Sequence, residues 1–240
     1  MKRKIIRLFK HIARDPLTFP LRFVISLICY SRSWYYSRNI DEGGGKIIIT
    51  EPFINFKIKK DKTAYLYIKE NLRIIPHIGG NSNSVISMGA NSKLLIKGSF
   101  TIGHGVRFML ASNSTLDIGG KDKESDSGIT SDTLIMVNKH IKIGKDFLCA
   151  WNVFISDSDW HSIKGQDHQA NVIIGDHTWV ANNSSILKGT ILGDNSIVAS
   201  FTKVINKQYP GNSMIAGTPA KVVKTGVDWN RDTSHIFLDN

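Results

Sequence analysis

Asp157, Asp159 and His161 stand at alternating positions and carry the residue types that proton transfer needs. In an extended segment, residues two apart point to one side, so the spacing predicts two carboxylates beside one imidazole. A carboxylate next to an imidazole fixes its tautomer and supports the charge it gains with a proton. An unperturbed imidazole titrates at about pH 6.5, which suits a general base near neutrality. Asp-rich surface loops with one histidine share this pattern, so residue types alone leave a plain loop histidine open. His168 and His177 follow at spacings of seven and nine. His168 reads as a loop residue that touches an acceptor, and His177 as an exposed residue at a turn. His11, His77, His104, His140 and His235 belong to no motif.

The elements that must position these residues have a period of six. Ile174, Val180, Ile186, Leu192, Val198 and Val204 recur at every sixth position, with Thr178, Ser184, Thr190, Ser196 and Thr202 four places after the first five. At about 100° per residue, an α-helix would scatter these aliphatics over three faces. Fixed hexads suit short strands joined by regular turns, as in a parallel β-helix. Burying each inward aliphatic is worth roughly 1.5–3 kcal/mol, so the repeat explains itself without any activity. Clear hexads also appear at Ile96, Ile102 and Phe108, with Val106 in the small-residue slot, and at Ile143, Cys149 and Ile155. Residues 46–84 are strand-rich but not hexad-regular, and predict irregular first coils. Residues 121–131 read as a loop thrown out from a corner. Between Ile155 and Ile174 the chain leaves the repeat, and a solenoid's excursions often carry its binding face.

The hexads resemble the left-handed parallel β-helix of hexapeptide-repeat acyltransferases, in which three hexads close one triangular coil. The segment Trp151-Asn152-Val153-Phe154-Ile155-Ser156-Asp157-Ser158-Asp159-Trp160-His161 resembles the active-site segment of acetyltransferases that modify sugars of bacterial surface polysaccharides. That resemblance implies that His161 is the catalytic base, with Asp157 or Asp159 orienting it. The segment Gly217-Thr218-Pro219-Ala220-Lys221-Val222-Val223-Lys224 resembles the family's C-terminal motif. It implies that Lys221 and Lys224 meet the nucleotide part of coenzyme A, whose phosphates call for cations. Trp179, Asn182 and Ser200 match positions that line the pantetheine channel between neighbouring subunits. Ser200-Phe201 stands where many relatives carry Ala-Gly. Zinc-dependent carbonic anhydrases share this fold, but their histidine spacing is not the one here, and no metal is expected.

The resemblance implies a homotrimer that moves an acetyl group from acetyl-CoA to a sugar hydroxyl of a bacterial surface polysaccharide or its precursor. An N-acetyltransferase on an amino sugar or other small acceptor, and a non-catalytic β-helix scaffold, are the competing readings. Acetyl-CoA binding separates the scaffold from the enzymes, and product analysis separates the acceptors.

Composition narrows the setting. A hydrophobic content of 41% fits a soluble globular protein, and two cysteines, Cys29 and Cys149, are too few for a disulfide framework. Both point to a cytoplasmic location, at large or at the inner face of the cytoplasmic membrane. Residues 1–40 hold nine Lys/Arg and one acid, Asp15, so they carry +8 of the net +11. The remainder is close to balanced, which argues against a nucleic-acid partner. Ile5, Leu8, Phe9 and Ile12 share one helical face among Lys2, Arg3, Lys4, Arg7, Lys10 and Arg14, and Pro16 ends that helix. The apolar stretch that follows is interrupted by Pro20 and Arg22, and its clean run is too short to span a bilayer. No small-x-small cleavage site precedes Trp34-Tyr35-Tyr36, so a signal peptide fits poorly. This arm either contacts an anionic membrane or caps the first coil. The expected architecture is all-β: a basic helical arm over residues 1–42, a left-handed parallel β-helix over 43–224 after a flexible break at 41–45, and a polar tail over 225–240.

Overall fold

A computed structural model of the chain describes residues 19–76, 82–121 and 127–231. The amphipathic helix expected around Ile5 to Ile12, and His11, His77 and His235, lie outside the described residues. The chain winds as a parallel β-helix whose three sheets form the faces of a triangular prism. The first sheet runs from Lys46–Ile49 through Asn71–Ile74, Phe100–Ile102, Gly128–Ser131, Leu148–Trp151, Trp179–Val180 and Ile197–Val198 to Ser213–Ala216. The second sheet stacks Phe56–Lys60, Ser84–Met88, Arg107–Leu110, Leu134–Val137, Phe154–Ser156, Ser185–Ile186 and Lys203–Val204. The third ends with His140–Lys145, Val172–Ile174, Ile191–Leu192 and Gln208–Tyr209. Each coil passes from the first sheet to the second, then the third, and back.

The hexads build the core as their spacing predicts. Ile174 pairs with Leu192, Val180 with Val198 and Ile186 with Val204 in parallel register. Three hexads therefore make one coil, and each aliphatic sits directly over the one eighteen residues earlier. All six are buried. The small hydroxyl residues are buried too, where a hydroxyl gains from a hydrogen-bond partner, and all but Thr190 have one among the described residues. Thr178 Oγ1 donates to the Gly175 carbonyl at 2.9 Å, Ser184 Oγ to Ala199 at 2.9 Å and Ser196 Oγ to Gly193 at 2.6 Å. Only a short side chain can do this inside a corner. Left-handed turn residues at those corners form side-chain ladders, with Asn152 Nδ2 donating to Asn183 Oδ1 and Asn195 Nδ2 to Asn212 Oδ1. Asparagine tolerates this conformation better than most residues.

Several expectations are corrected. The early coils are regular ladders, with Leu66 on Leu94 and Leu94 on Leu116, but insertions lengthen each coil and hide the period. Residues 128–131 are a strand, not loop. Pro20 does not interrupt the apolar segment. It stands in the first turn of helix α1, Phe19–Ser37, where its missing N–H costs nothing. Residues 41–45 are a bonded turn, not a break. The Leu66 N–H donates to Asp41 Oδ2 at 2.7 Å, and Lys60 Nζ lies 2.7 Å from Asp41 Oδ1. Gly43 has φ 109° there, and a Cβ would stand 2.0 Å from the Ile68 carbonyl oxygen.

One face of α1 closes the prism. Ile25, Cys29, Arg32, Ser33, Tyr36 and Ser37 turn inward and are partly buried. The edge N–H groups of Ile47 and Ile49 donate to Ser37 Oγ at 3.0 Å and Ser33 Oγ at 2.9 Å. Tyr36 packs edge-on against Phe56. An exposed strand edge invites pairing with another chain, and this helix covers it. At the other end, Lys221–Thr225 folds back antiparallel on Ser213–Ala216 and ends the first sheet.

Candidate functional site

The excursion over residues 157–171 leaves at the corner between the second and third sheets. Its stem is stapled as a hairpin: the Ala170 N–H donates to the Asp157 carbonyl at 2.9 Å, and the Asp159 N–H to the His168 carbonyl at 2.8 Å. Asp157 is buried at the root. Its carboxylate accepts the Asn138 N–H at 2.7 Å and the Lys139 N–H at 2.9 Å, from the preceding coil. Burial pushes its pKa above the usual carboxylate range, against the pull of those N–H groups. Asp159 pairs with Lys188 of the following coil. His161 is exposed, and neither carboxylate is hydrogen-bonded to its imidazole among the described residues. This corrects the alternation argument. Trp160 has φ 63°, so the segment turns instead of running extended. Trp160 is held by Ser156 Oγ, which accepts its Nε1–H at 3.1 Å. His168 is exposed, with Nε2 3.5 Å from Asn138 Nδ2.

A groove of about 450 Å³ runs along the first sheet, toward its corner with the second. Trp151, Trp179, Asn182 and Ser200 line it, over a floor that includes Leu148, Ala199 and Met214. Ser200 Oγ donates to Asn182 Oδ1 at 2.8 Å. The structure therefore brings Trp179, Asn182 and Ser200 together. Lys221 and Lys224 lie on the closing strand of the same sheet, opposite Ala216 and Met214. From Leu148–Trp151 to that strand there are four strand steps, about 19 Å at the usual sheet spacing. Phe201 occupies the left-handed corner position with φ 58° and is 70% exposed. Glycine suits that conformation best, so this chain keeps an aromatic ring there against a steric cost. Within one chain His161 does not meet the groove. They occupy opposite corners of the second sheet.

A model described as bacterial transferase hexapeptide (six repeats) matches residues 171–206. The chain is 40% identical over 178 residues to the polysialic acid O-acetyltransferase of Neisseria meningitidis, covering 66% of this chain and 80% of that protein. The chain belongs to the hexapeptide-repeat acetyltransferases, among the surface-polysaccharide O-acetyltransferases. The solved structure of the polysialic acid O-acetyltransferase OatWY aligns with a TM-score of 0.54 at 27% identity, covering 77% of this chain and 92% of that one. It shares the left-handed β-helix fold. An uncharacterised 24.8 kDa protein from the cps region of Klebsiella pneumoniae is 29% identical over 191 residues, covering 77% of this acetyltransferase and 82% of that protein.

The acetyltransferase also has a side-chain knot that the sequence reading missed, at the corner between the third and first sheets. His177 is half-buried there, not exposed. Its Nδ1 lies 2.7 Å from Asp146 Oδ2 and its Nε2 2.9 Å from the Trp229 carbonyl oxygen. The Trp229 ring stacks on the imidazole at 4.2 Å, and its Nε1–H donates to the His177 carbonyl at 2.8 Å. Arg231 pairs with Asp146 and lies over the Trp229 ring. Burial alone would raise the Asp146 pKa, but the His177 hydrogen bond and the Arg231 and Lys121 charges outweigh it and hold it below the usual range. Trp229 stands 6.0 Å from Trp179, a wall of the groove. The available signal was a lone tryptophan in a polar tail. Among the described residues no three His, Cys, Asp or Glu side chains form a metal-binding group.

Proposed function

We propose that this acetyltransferase moves the acetyl group of acetyl-CoA onto a hydroxyl of a bacterial surface polysaccharide or its precursor, with acceptors of the polysialic acid kind the first to test. The observation that carries this reading is an apolar groove whose last lining residue, Met214, pairs with Lys224 on the closing strand, on the same prism as a stapled loop that presents His161 to solvent. The groove suits a pantetheine arm: Leu148, Ala199 and Met214 offer an apolar floor, and Asn182 an amide. Lys221 and Lys224 supply cations for the phosphates at its far end.

His161 accepts the proton of the acceptor hydroxyl as that oxygen attacks the thioester carbonyl carbon. The new C–O bond forms, the C–S bond breaks, and His161 returns the proton to the departing sulfur. Asp157 and Asp159 act by holding the loop. One chain cannot bring His161 to its own groove, so the site is shared. A homotrimer with the second sheet facing its threefold axis sets the groove corner of one copy against the His161 corner of the next. The outward side chains of that sheet suit burial: Leu134, Met136 and Phe154 are half-buried and Met109 is 38% exposed. The donor places the enzyme in the cytoplasm, and the basic residues of positions 1–40 bring it to an anionic membrane surface.

The test offers the purified full chain acetyl-CoA with polysialic acid and with neutral polysaccharides, and reads ester formation by mass spectrometry. Acetyl-CoA binding with esters on none of them would send the acceptor to another class. Failure to bind acetyl-CoA would leave a scaffold.

A further inference from the structure

Helix α1 spends only one face on the prism. Arg32, Ser33, Tyr36 and Ser37 are bonded to the first coil. At 100° per residue, the opposite half carries Phe23, Val24, Leu27, Ser31, Trp34 and Tyr35, with Arg38 just past the last turn. This outward half is exposed: Val24 49%, Leu27 49%, Trp34 60% and Tyr35 61%. Leu21 at 63% and Tyr30 at 72% flank it. An isolated exposed leucine needs no explanation, but a continuous apolar helix face does.

Two occupants compete for this face, a lipid surface and a second copy of the chain. Charge decides between them. The helix has no acidic residue. Residues 1–40 hold nine Lys/Arg against one acid, a balance that two copies face to face would resist and an anionic leaflet would attract. Trp34 and Tyr35 are residue types that settle at the headgroup level, and Arg38 lies 5.2 Å over the Trp34 ring. No helix among the described residues is long and apolar enough to cross a membrane, so α1 would lie along the surface.

We propose that the outward face of α1 docks on an anionic lipid surface, so that the prism stands on its N-terminal end. The consequence rests on the polysaccharide reading above. Along the first sheet, the donor groove begins at Thr130, three strand steps from the capped edge and about 14 Å away. The enzyme would then reach sugars well out along a membrane-anchored chain, not those next to the lipid.

The experiment is sedimentation of the full chain with phosphatidylglycerol vesicles and with phosphatidylcholine vesicles, at low and high salt. The wild type should pellet with phosphatidylglycerol at low salt and not with phosphatidylcholine. Leu27→Glu and Trp34→Glu touch none of the capping bonds, and each should lower the lipid-bound fraction about ten-fold or more, since each replaces an exposed apolar side chain that the lipid would bury with a charged one. Their thermal melts and light-scattering masses should match wild type. A wild type that ignores anionic vesicles, or variants that pellet as well as wild type, would overturn the proposal. Variants that lose oligomer mass would hand the face to a second copy. Acetylation of a soluble polysaccharide is read separately: an inactive protein that still pellets sinks the enzymatic reading and leaves the docking intact.

Discussion

Lys188 Nζ meets the Asp159 carboxylate from the coil that follows the excursion, and donates a second hydrogen bond to the Asp167 carbonyl oxygen. One ammonium thus ties both arms of the His161 hairpin to the prism. Asp157 ties its root to the coil on the other side. Lys188→Ala should loosen the hairpin and lower kcat by roughly 10- to 100-fold, the cost of small misplacements of a reacting group. Asp159→Ala should act through the same contact, so the double variant should be little worse than either single. Additive losses would show that Asp159 has a separate role at the imidazole.

His161→Ala should lose about 10²- to 10⁴-fold in acetyl transfer, the usual contribution of a general base. Acetyl-CoA binding and the thermal melt should stay at wild-type values, because the ring is exposed and makes no hydrogen bond among the described residues. A variant within a few-fold of wild type would remove His161 from the chemistry.

A shared site predicts complementation. His161→Ala and a groove-blocking Ala199→Trp should each be inactive alone. Co-expressed, they should form mixed trimers in which some sites pair an intact loop with an intact groove. Activity should return to a measurable fraction of wild type. Continued inactivity of trimers shown to be mixed would place the site within one chain.

Lys221→Ala combined with Lys224→Ala should raise the KM for acetyl-CoA about ten-fold or more, since hydrogen bonds to charged groups are each worth about 1.5–3 kcal/mol. The KM for the acceptor should not move. Dephospho-acetyl-CoA, which lacks the 3′-phosphate, should be a poorer donor for wild type. Equal use of both donors would show that the lysines do not read that phosphate.

The knot around Trp229 should matter to the donor and to acid stability. Trp229→Ala removes the support beside Trp179, and should raise the donor KM a few-fold with kcat kept, the scale of one aromatic contact. Trp229→Phe should restore most of it. The acid dependence follows from Asp146, whose pKa is lowered in the folded state. A lowered carboxyl pKa contributes stability that is present above the unfolded value of about 3.9 and lost as pH falls through the folded value. Asp146→Asn should therefore melt below wild type at pH 7, and the gap should close under strongly acidic conditions. A gap independent of pH would mean that packing, not charge, holds the knot.

The residue string alone determined the core of the last coils, because there an unbroken hexad repeats the same local geometry. Ile174 lies on Leu192 with nothing inserted between them. The family resemblance, not the repeat, pointed to Trp179, Asn182 and Ser200, and the regular coils bring them to one groove. Where insertions separate ladder partners the period disappears: Ile118 lies on Ile143, twenty-five residues later, and Ile143 on Ile174, thirty-one later. The strands are still there, but the spacing that would announce them is not. Tertiary structure decided the rest. One left-handed residue, Trp160, turned the Asp157, Asp159 and His161 alternation aside. The contact of His177 with Trp229 spans fifty-two residues and has no period to reveal it. Which corner each functional residue occupies depends on how many residues every earlier coil takes to close. A local pattern carries no record of that count, so the separation of His161 from the groove appears only when the coils are stacked.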